Sequence, residues 1–246
     1  MDRMLYIGMS GAKETLLSQG MNNNNLANVS TTGFKEDLAQ QRSMSVFGPG
    51  LATRAFAMTE KAGVNFSPGP IENTGRPLDM AIKQDGWIAV QSKDGSEAYT
   101  REGNLKITAE GILTNGVGLP VMGNGGPISI PPFESLSIAA DGTITIRPLG
   151  QPASALATVD RIRLVNPPLD EMEKRRDGLM GLKTGEDAGF DGLVRLIPGS
   201  LERSNANVVE AMVRMITLNR NFDMQVKVMS TAEEVDKATD ALMRMS

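Results

Sequence analysis

Two short runs place a serine and lysines at spacings that could support acyl transfer. Ser10-Gly11-Ala12-Lys13 and Lys183-Thr184-Gly185 match two of the three short motifs of penicillin-binding serine enzymes. The third motif, Ser-Asp-Asn, is missing, and Ser10 sits inside an amphipathic terminal stripe. The glycines Gly116, Gly118, Gly123, Gly125 and Gly126 suggest a phosphate loop, but Pro120 and Pro127 interrupt them and the pattern that follows is that of strands. A phosphate site needs a helix N-terminus straight after its glycines, for the free N–H groups and the dipole. Turns account for these glycines better. Asp and Glu are scattered without calcium-loop spacing, and Asn28-Val29-Ser30 is a glycosylation acceptor only in a secreted eukaryotic chain. With 0 Cys and 0 His, thiolate nucleophiles, disulfides and the commonest general base and metal ligand are all missing. Any enzyme built here would rely on carboxylates or lysine. We therefore expect no catalytic, cofactor-binding or metal-ligating residues.

Composition narrows the class further. The 246 residues are 40% apolar, enough to bury a core, while 26 glycines, 13 prolines and an aromatic share of 4% favour a turn-rich β body. A net charge of -4 and a pI of about 5.1 speak against nucleic acid, which demands clustered Lys and Arg. The cluster Lys174, Arg175, Arg176 reads as a solvated loop. No apolar run approaches the roughly 20 residues of a membrane span, and the N-terminus lacks the basic, apolar, small-residue order of a cleaved secretory signal. No membrane insertion is expected.

The elements that would position any site carry the clearest signal. Leu5, Met9, Ala12, Leu16, Gln19, Asn23 and Leu26 fall on a 4-3-4-3-4-3 spacing, and Val208, Met212, Met215, Asn219, Phe222, Val226 and Met229 repeat it. This is the heptad rule for helices that pack on helices. The first helix is predicted from about Arg3 to Leu26, with Gly8 and Gly11 near its stripe allowing close approach at a cost of roughly 1 kcal/mol each. Asn22, Asn23, Asn24 and Asn25 are poor helix formers, so this helix should be marginal alone. The last helix is predicted from about Asn205 to Leu242. Its apolar positions move after Met229 to Val235, Ala238, Leu242 and Met245, which implies a second contact face. Ser230 and Glu233 fit a capping box, but residues 231–241 contain no Gly or Pro, so one continuous helix is expected. Ten of the 16 methionines lie in the two terminal segments, where flexible thioethers tolerate varied neighbours.

Between the helices the periodicity changes. Residues 36–70 show none, include Gly48, Pro49, Gly50, Pro68, Gly69 and Pro70, and read as an extended connector. Short strands punctuated by Asp85-Gly86, Asp94-Gly95 and Asn115-Gly116 follow at 80–82, 87–91, 98–100, 105–108 and 112–114. Further strands are predicted at 128–130, 136–138, 143–146 and 159–164. The expected fold is α+β: a discontinuous helical domain from residues 1–35 and 201–246, the connector 36–70, and a mainly antiparallel β domain over 71–200. Two seams interrupted by polar residues suggest helices that order against neighbours, hence an assembly subunit. The alternative is a secreted β-domain binding protein whose helices pair privately.

Specific runs resemble a known family. Asn25-Leu26-Ala27-Asn28-Val-Ser-Thr-Thr-Gly33-Phe34-Lys35 resembles the N-terminal signature of bacterial flagellar rod and hook proteins. Leu201-Glu202-Arg-Ser204-Asn205, followed by Glu210, Met212, Met215, Ile216, Arg220 and Phe222, resembles their C-terminal one. Ala206 stands where the family usually has Val. In the body, Thr74-Gly-Arg-Pro-Leu-Asp-Met-Ala-Ile82, Asp85-Gly-Trp-Ile-Ala-Val-Gln91, Asp94-Gly-Ser, Tyr99-Thr-Arg-Glu-Gly-Asn104 and Gly125-Gly-Pro-Ile-Ser-Ile-Pro131 are most similar to the proximal rod branch; Trp87 and the Arg-Pro-Leu-Asp run separate it from the distal one. The resemblance implies a non-enzymatic rod subunit without cofactors, exported by the flagellar export apparatus without a cleaved signal into the periplasm-spanning rod. Its partners would be other rod subunits and copies of itself, with paired terminal helices inside and the β domain outside. Another axial subunit, distal or hook-like, is the alternative within the family.

Overall fold

The computed structural model describes residues 4–45, 55–60, 63–152 and 155–244. Met1, Arg3, Gly48, Pro49, Gly50 and Met245, which entered the sequence reading, lie outside the described residues. The chain is α+β, with a helix near each end and antiparallel strands between them. It divides into two compact units: residues 1–29, 36–65 and 206–246 form a helical unit, and 30–35 with 66–205 form a β unit.

In the helical unit, α1 (Met4–Ala27) pairs with a long helix whose range is Val208–Arg244, here α2. Of the four asparagines, the two buried ones, Asn22 and Asn25, have amides that find partners other than the local backbone they would otherwise compete for, which lets the helix run through them. Asn22 Nδ2 donates to the Ala211 carbonyl at 2.8 Å, and Asn25 takes part in two hydrogen bonds with the Asp37 backbone. Asn28 closes α1: its backbone N–H and its side-chain Nδ2 both reach the Asn24 carbonyl, one of the four left over at a helix end. At the start of α2, Asn207 is the cap, its Oδ1 accepting from Val209 N at 2.9 Å. The helix then runs unbroken past Ser230, and Thr231 Oγ1 donates back to the Lys227 carbonyl. The 36–70 stretch is more structured than a connector: β1 (Gln40–Ser45) and β2 (Ala55–Glu60) pair antiparallel, and Ser10 Oγ donates to the Ala57 carbonyl of β2. Sequence periodicity missed this hairpin because neither strand alternates apolar and polar residues.

The β unit contains, in chain order, β3 (Ile71–Asn73), β4 (Met80–Ile82), β5 (Trp87–Gln91), β6 (Glu97–Thr100), β7 (Lys106–Ile107), β8 (Leu113–Thr114), β9 (Phe133–Ile138) and β10 (Thr143–Pro148). These are followed by β11 (Ala157–Arg161), β12 (Leu164–Val165), β13 (Met172–Lys174), β14 (Met180–Leu182), β15 (Leu196–Pro198) and β16 (Ser200–Glu202). Five strands pair in the order β12-β5-β6-β14-β13 and three as β11-β10-β9, with β15-β4, β16-β3 and β7-β8 as pairs. The Asp94-Gly95 turn sets the β5–β6 register, Ile88 opposite Thr100 and Val90 opposite Ala98; Gly95 has φ 86° and Asp94 Oδ1 accepts from Ser96 N. Of residues 128–130 only Ser129 forms a bridge, to Ile112, and no strand results, although Ile128 and Ile130 are buried. The core is aliphatic, built from Met80, Ile88, Val90, Leu105, Leu113, Ile128, Ile144, Ile162 and Leu164. At about 1.5–3 kcal/mol per buried aliphatic side chain, this cluster supplies the unit's stability.

Candidate functional site

No three His, Cys, Asp or Glu side chains come together as metal ligands among the described residues. The serine-enzyme lookalikes have structural partners: Lys183 Nζ donates to the Asp170 carbonyl, as Ser10 does to Ala57. Two other features gather the residues singled out by the sequence, one in each unit.

In the β unit the N- and C-terminal signatures meet at a buried carboxylate. Glu202 is 1% exposed; its Oε1 lies 2.7 Å from Lys35 Nζ and 2.9 Å from Gly69 N, and its Oε2 lies 3.0 Å from Arg101 Nη1. Two cations share one anion, so the surplus positive charge is spread over neutral acceptors. Lys35 also donates to the Ser67 carbonyl, and Arg101 to the carbonyls of Gln84 and Gly86. The Arg101 guanidinium stands 5.3 Å from the Trp87 ring, which Phe66 meets edge-on at 6.1 Å. Burial pulls the Lys35 ammonium below the ordinary lysine value, while its hydrogen bond to Glu202 and that carboxylate's charge hold it up. Such a cluster adds little net stability over an apolar replacement, because desolvation offsets attraction. What it does is fix which segments lie together: residues 30–35, 66–70 and 200–205.

Neighbouring contacts tighten the same joint. Gly33 N–H donates to the Glu202 carbonyl at 2.8 Å, and Gly33 has φ 69°. A Cβ there would stand 2.3 Å from the Arg101 carbonyl carbon, so both conformation and space demand glycine. Asn205 Nδ2 donates to Ser67 O, and Leu201 pairs opposite Glu72 between β16 and β3. Ser204 is buried. The expected solvated loop at Lys174–Arg176 is a correction: Lys174 Nζ donates to the Lys35 carbonyl and lies 4.2 Å from the Phe34 ring, and Arg175 reaches Ser96 and Asp94. Only Arg176 of the three is exposed; Lys174 and Arg175 are half-buried by these contacts. Arg101 was legible only inside the Tyr99–Asn104 resemblance, and Gly69 only as one of the turn residues of the 36–70 stretch, with nothing to mark its N–H as a partner of Glu202.

The Arg-Pro-Leu-Asp run makes a second clamp. Asp79, 4% exposed, accepts from Thr74 Oγ1 at 2.7 Å and receives Gly199 N–H on its carbonyl, while Arg76 donates to Asn104 Oδ1.

In the helical unit the two predicted stripes divide. α1 and α2 run antiparallel: Gly8 meets the Met229 side chain, Gly11 meets Gln225, Gln19 Nε2 donates to Asn219 Oδ1 at 2.7 Å, and Asn22 reaches Ala211. The α1 positions buried most deeply are small or polar, namely Gly8, Ala12, Thr15, Ser18, Asn22 and Asn25. On α2 the buried and half-buried positions Ala211, Met215, Leu218, Phe222, Gln225, Met229 and Ala232 follow 4-3-4-3-4-3. From the predicted stripes, Ala12 is buried and Leu5, Leu26, Met215, Phe222 and Met229 are half-buried. Met9, Leu16, Val208, Met212, Asn219 and Val226 are exposed, as are Glu210, Ile216, Arg220 and Ala27, and Asn28 is half-buried. Tyr6, Leu17, Val209, Val213, Met224, Val235 and Leu242 add to the open apolar surface.

Comparison with known proteins accounts for these signatures. Residues 197–242 match the family described as flagellar basal body rod FlgEFG protein C-terminal, and 81–146 that described as flagellar hook protein FlgE/F/G D1 domain. The flagellar basal-body rod proteins FlgF of Salmonella typhimurium and of Escherichia coli are each 40% identical over 252 residues, covering 100% of both chains. The flagellar basal-body rod protein FlgG of Bacillus subtilis is 31% identical over 256 residues, covering 95% of this chain and 96% of its own. By this end-to-end similarity the chain belongs to the flagellar basal-body rod protein family, whose members are structural subunits and not enzymes.

Proposed function

We propose that this chain polymerises through its terminal helices into the proximal part of the flagellar rod and helps form the drive shaft. The observation that carries the reading is the surplus of apolar surface on α1 and α2 after they have paired. Met212, Val213, Ile216 and Met224 are all more than half exposed on α2, and Tyr6, Met9 and Leu16 on α1. Large apolar patches on a folded surface mark contact sites. A helical rod needs heterologous contacts, one face meeting a different face of the next subunit, and α2 carries one seam for α1 and a separate open face. The exposed apolar stripe residues, Met9, Leu16, Val208, Met212 and Val226, are the proposed inter-subunit set, while Asn219, the remaining exposed stripe position, has its side chain engaged by Gln19 of α1. Leu5, Ala12, Leu26, Met215, Phe222 and Met229 hold the pair together. Partners are other axial subunits and further copies of this chain, delivered by the flagellar export apparatus; a marginal first helix rich in Gly and Asn suits passage as an unfolded chain.

The test is the double variant Val213→Asp, Ile216→Asp in a cell lacking the native copy. Both positions are solvent-exposed in the single chain, so the purified variant should unfold at the same temperature as the parent yet fail to enter rods, leaving cells non-motile. Normal motility with the double variant would remove the helices from the assembly mechanism. Pairing of α1 with α2 also suits a binding protein with private helices, but that reading leaves the open apolar face without a purpose.

A further inference from the structure

The chain contains two Asn-Gly pairs, the sequence in which an asparagine is most prone to lose its amide, and the structure treats them oppositely. Asn115 is 1% exposed and held at both ends of its amide: Nδ2 donates to Glu102 Oε2 at 2.9 Å and Oδ1 accepts from Leu119 N at 2.8 Å. A Cβ on the following Gly116 would stand 2.3 Å from Glu102 Oε1, so that backbone is hemmed in as well. Asn124 is exposed, its side-chain amide makes no hydrogen bond among the described residues, and Gly125 is exposed with nothing within 4 Å of where its Cβ would be. Both lie in the turn closed by the hydrogen bond from Gly123 N to Gly126 O.

We infer that Asn124-Gly125 is a site of spontaneous deamidation in the folded protein and that Asn115-Gly116 is protected. The Gly125 backbone nitrogen gives up its proton and attacks Cγ of Asn124. The new N–Cγ bond closes a five-membered succinimide as the Cγ–NH2 bond breaks, and ammonia leaves with the proton. Water then adds to one of the two ring carbonyls and breaks that ring C–N bond, leaving an aspartate or an isoaspartate at position 124. No oxidant or other partner is needed. Succinimide closure requires the side chain to swing onto the next nitrogen, a movement that Asn124 is free to make and that Asn115 can make only by breaking both its hydrogen bonds. The product places a new carboxylate beside Asp160, whose Oδ1 already faces Asn124 N at 3.4 Å, so the charge change falls where a like charge is waiting.

The test incubates the purified full chain at mildly alkaline pH and follows both peptides by mass spectrometry, with isoaspartyl methyltransferase labelling for the isomer. The same incubation in urea shows the intrinsic rates. In the folded chain Asn124 should convert on the order of tenfold or more faster than Asn115, and in urea the gap should close, since the protection is that of two buried hydrogen bonds. Asn124→Gln should abolish labelling in the folded chain. Conversion of Asn115 at the rate of Asn124 in the folded chain, or an intact Asn124 under conditions that convert it in urea, overturns the inference.

Discussion

Replacing Glu202 by glutamine tests whether the buried charge cluster pins the terminal signatures together. The substitution keeps size and shape but removes the only anion, among the described residues, within hydrogen-bond reach of two buried cations, Lys35 at 3% and Arg101 at 4% exposure. Neither amide orientation rescues it. Turned one way, the NH2 group faces Lys35 Nζ and Gly69 N across 2.7 and 2.9 Å; turned the other, it faces Arg101 Nη1 across 3.0 Å, so donor meets donor either way. Removing one partner from a buried ion pair costs about 3–5 kcal/mol, because the remaining charge stays buried and uncompensated. At about 2–4 °C per kcal/mol for a domain of this size, melting should fall by roughly 6–20 °C. Trp87 is the sole tryptophan and lies against Arg101, so its fluorescence during denaturant unfolding reports on this unit directly. The midpoint should drop with the slope unchanged. Because burial depresses Lys35, its protonated form is the one that strains the native state. The deficit should therefore shrink as pH rises towards 10.5, because the folded chain can shed the Lys35 proton before the unfolded chain does. A loss below about 1 kcal/mol, the range of an exposed pair, would refute the claim that these charges are desolvated and mutually dependent.

Gly33→Ala should cost about 2–5 kcal/mol in the same unit, combining roughly 1–2 for a left-handed residue with a Cβ and about 1–3 for overpacking against the Arg101–Glu102 backbone; a denaturant midpoint matching the parent would contradict that geometry. Asn25→Ala removes both hydrogen bonds to the Asp37 backbone and should lower helical-unit stability by about 1–3 kcal/mol, seen as earlier loss of far-UV helix signal. For Tyr99, burial raises the phenol from 10.0 to about 12. In a Tyr6→Phe background, where it is the one phenol left, phenolate absorbance should appear with a midpoint near 12 and native stability should fall as pH climbs from 10.0 through that value, since only the unfolded chain ionises early. A midpoint at the ordinary tyrosine value would show that its hydroxyl, 2.6 Å from Ala188 N, is open to water.

Local signals carried much of the architecture. Helix positions were readable because a 3.5-residue period is a property of contiguous sequence, and hairpins because Asp-Gly and Asn-Gly turns announce themselves within a few residues. The hairpin of β1 and β2 was not readable, since its strands are held by pairing across the chain and against α1 instead of by alternation. The heptad stripes show where reading stops. Hydrophobicity selects Met9, Leu16, Met212 and Val226 as seam residues, yet α1 meets α2 through Gly8, Ala12, Thr15 and Ser18 and leaves those larger side chains outside. Small residues let two backbones approach, and which face meets which neighbour is decided by the partner's shape, which periodicity does not encode. The candidate site divides the same way. Each terminal signature was visible as a string, but Lys35 and Glu202 are 167 residues apart, and their ion pair, completed by Arg101 and Gly69, exists only because chain closure brings four distant segments to one buried point. Composition and periodicity were enough to establish the class, two helices around a turn-rich β body without thiol or imidazole chemistry. Which apolar residues are covered within the helix pair and which stay exposed is settled only by tertiary packing, because burial is a sum over neighbours and not a property of any residue alone.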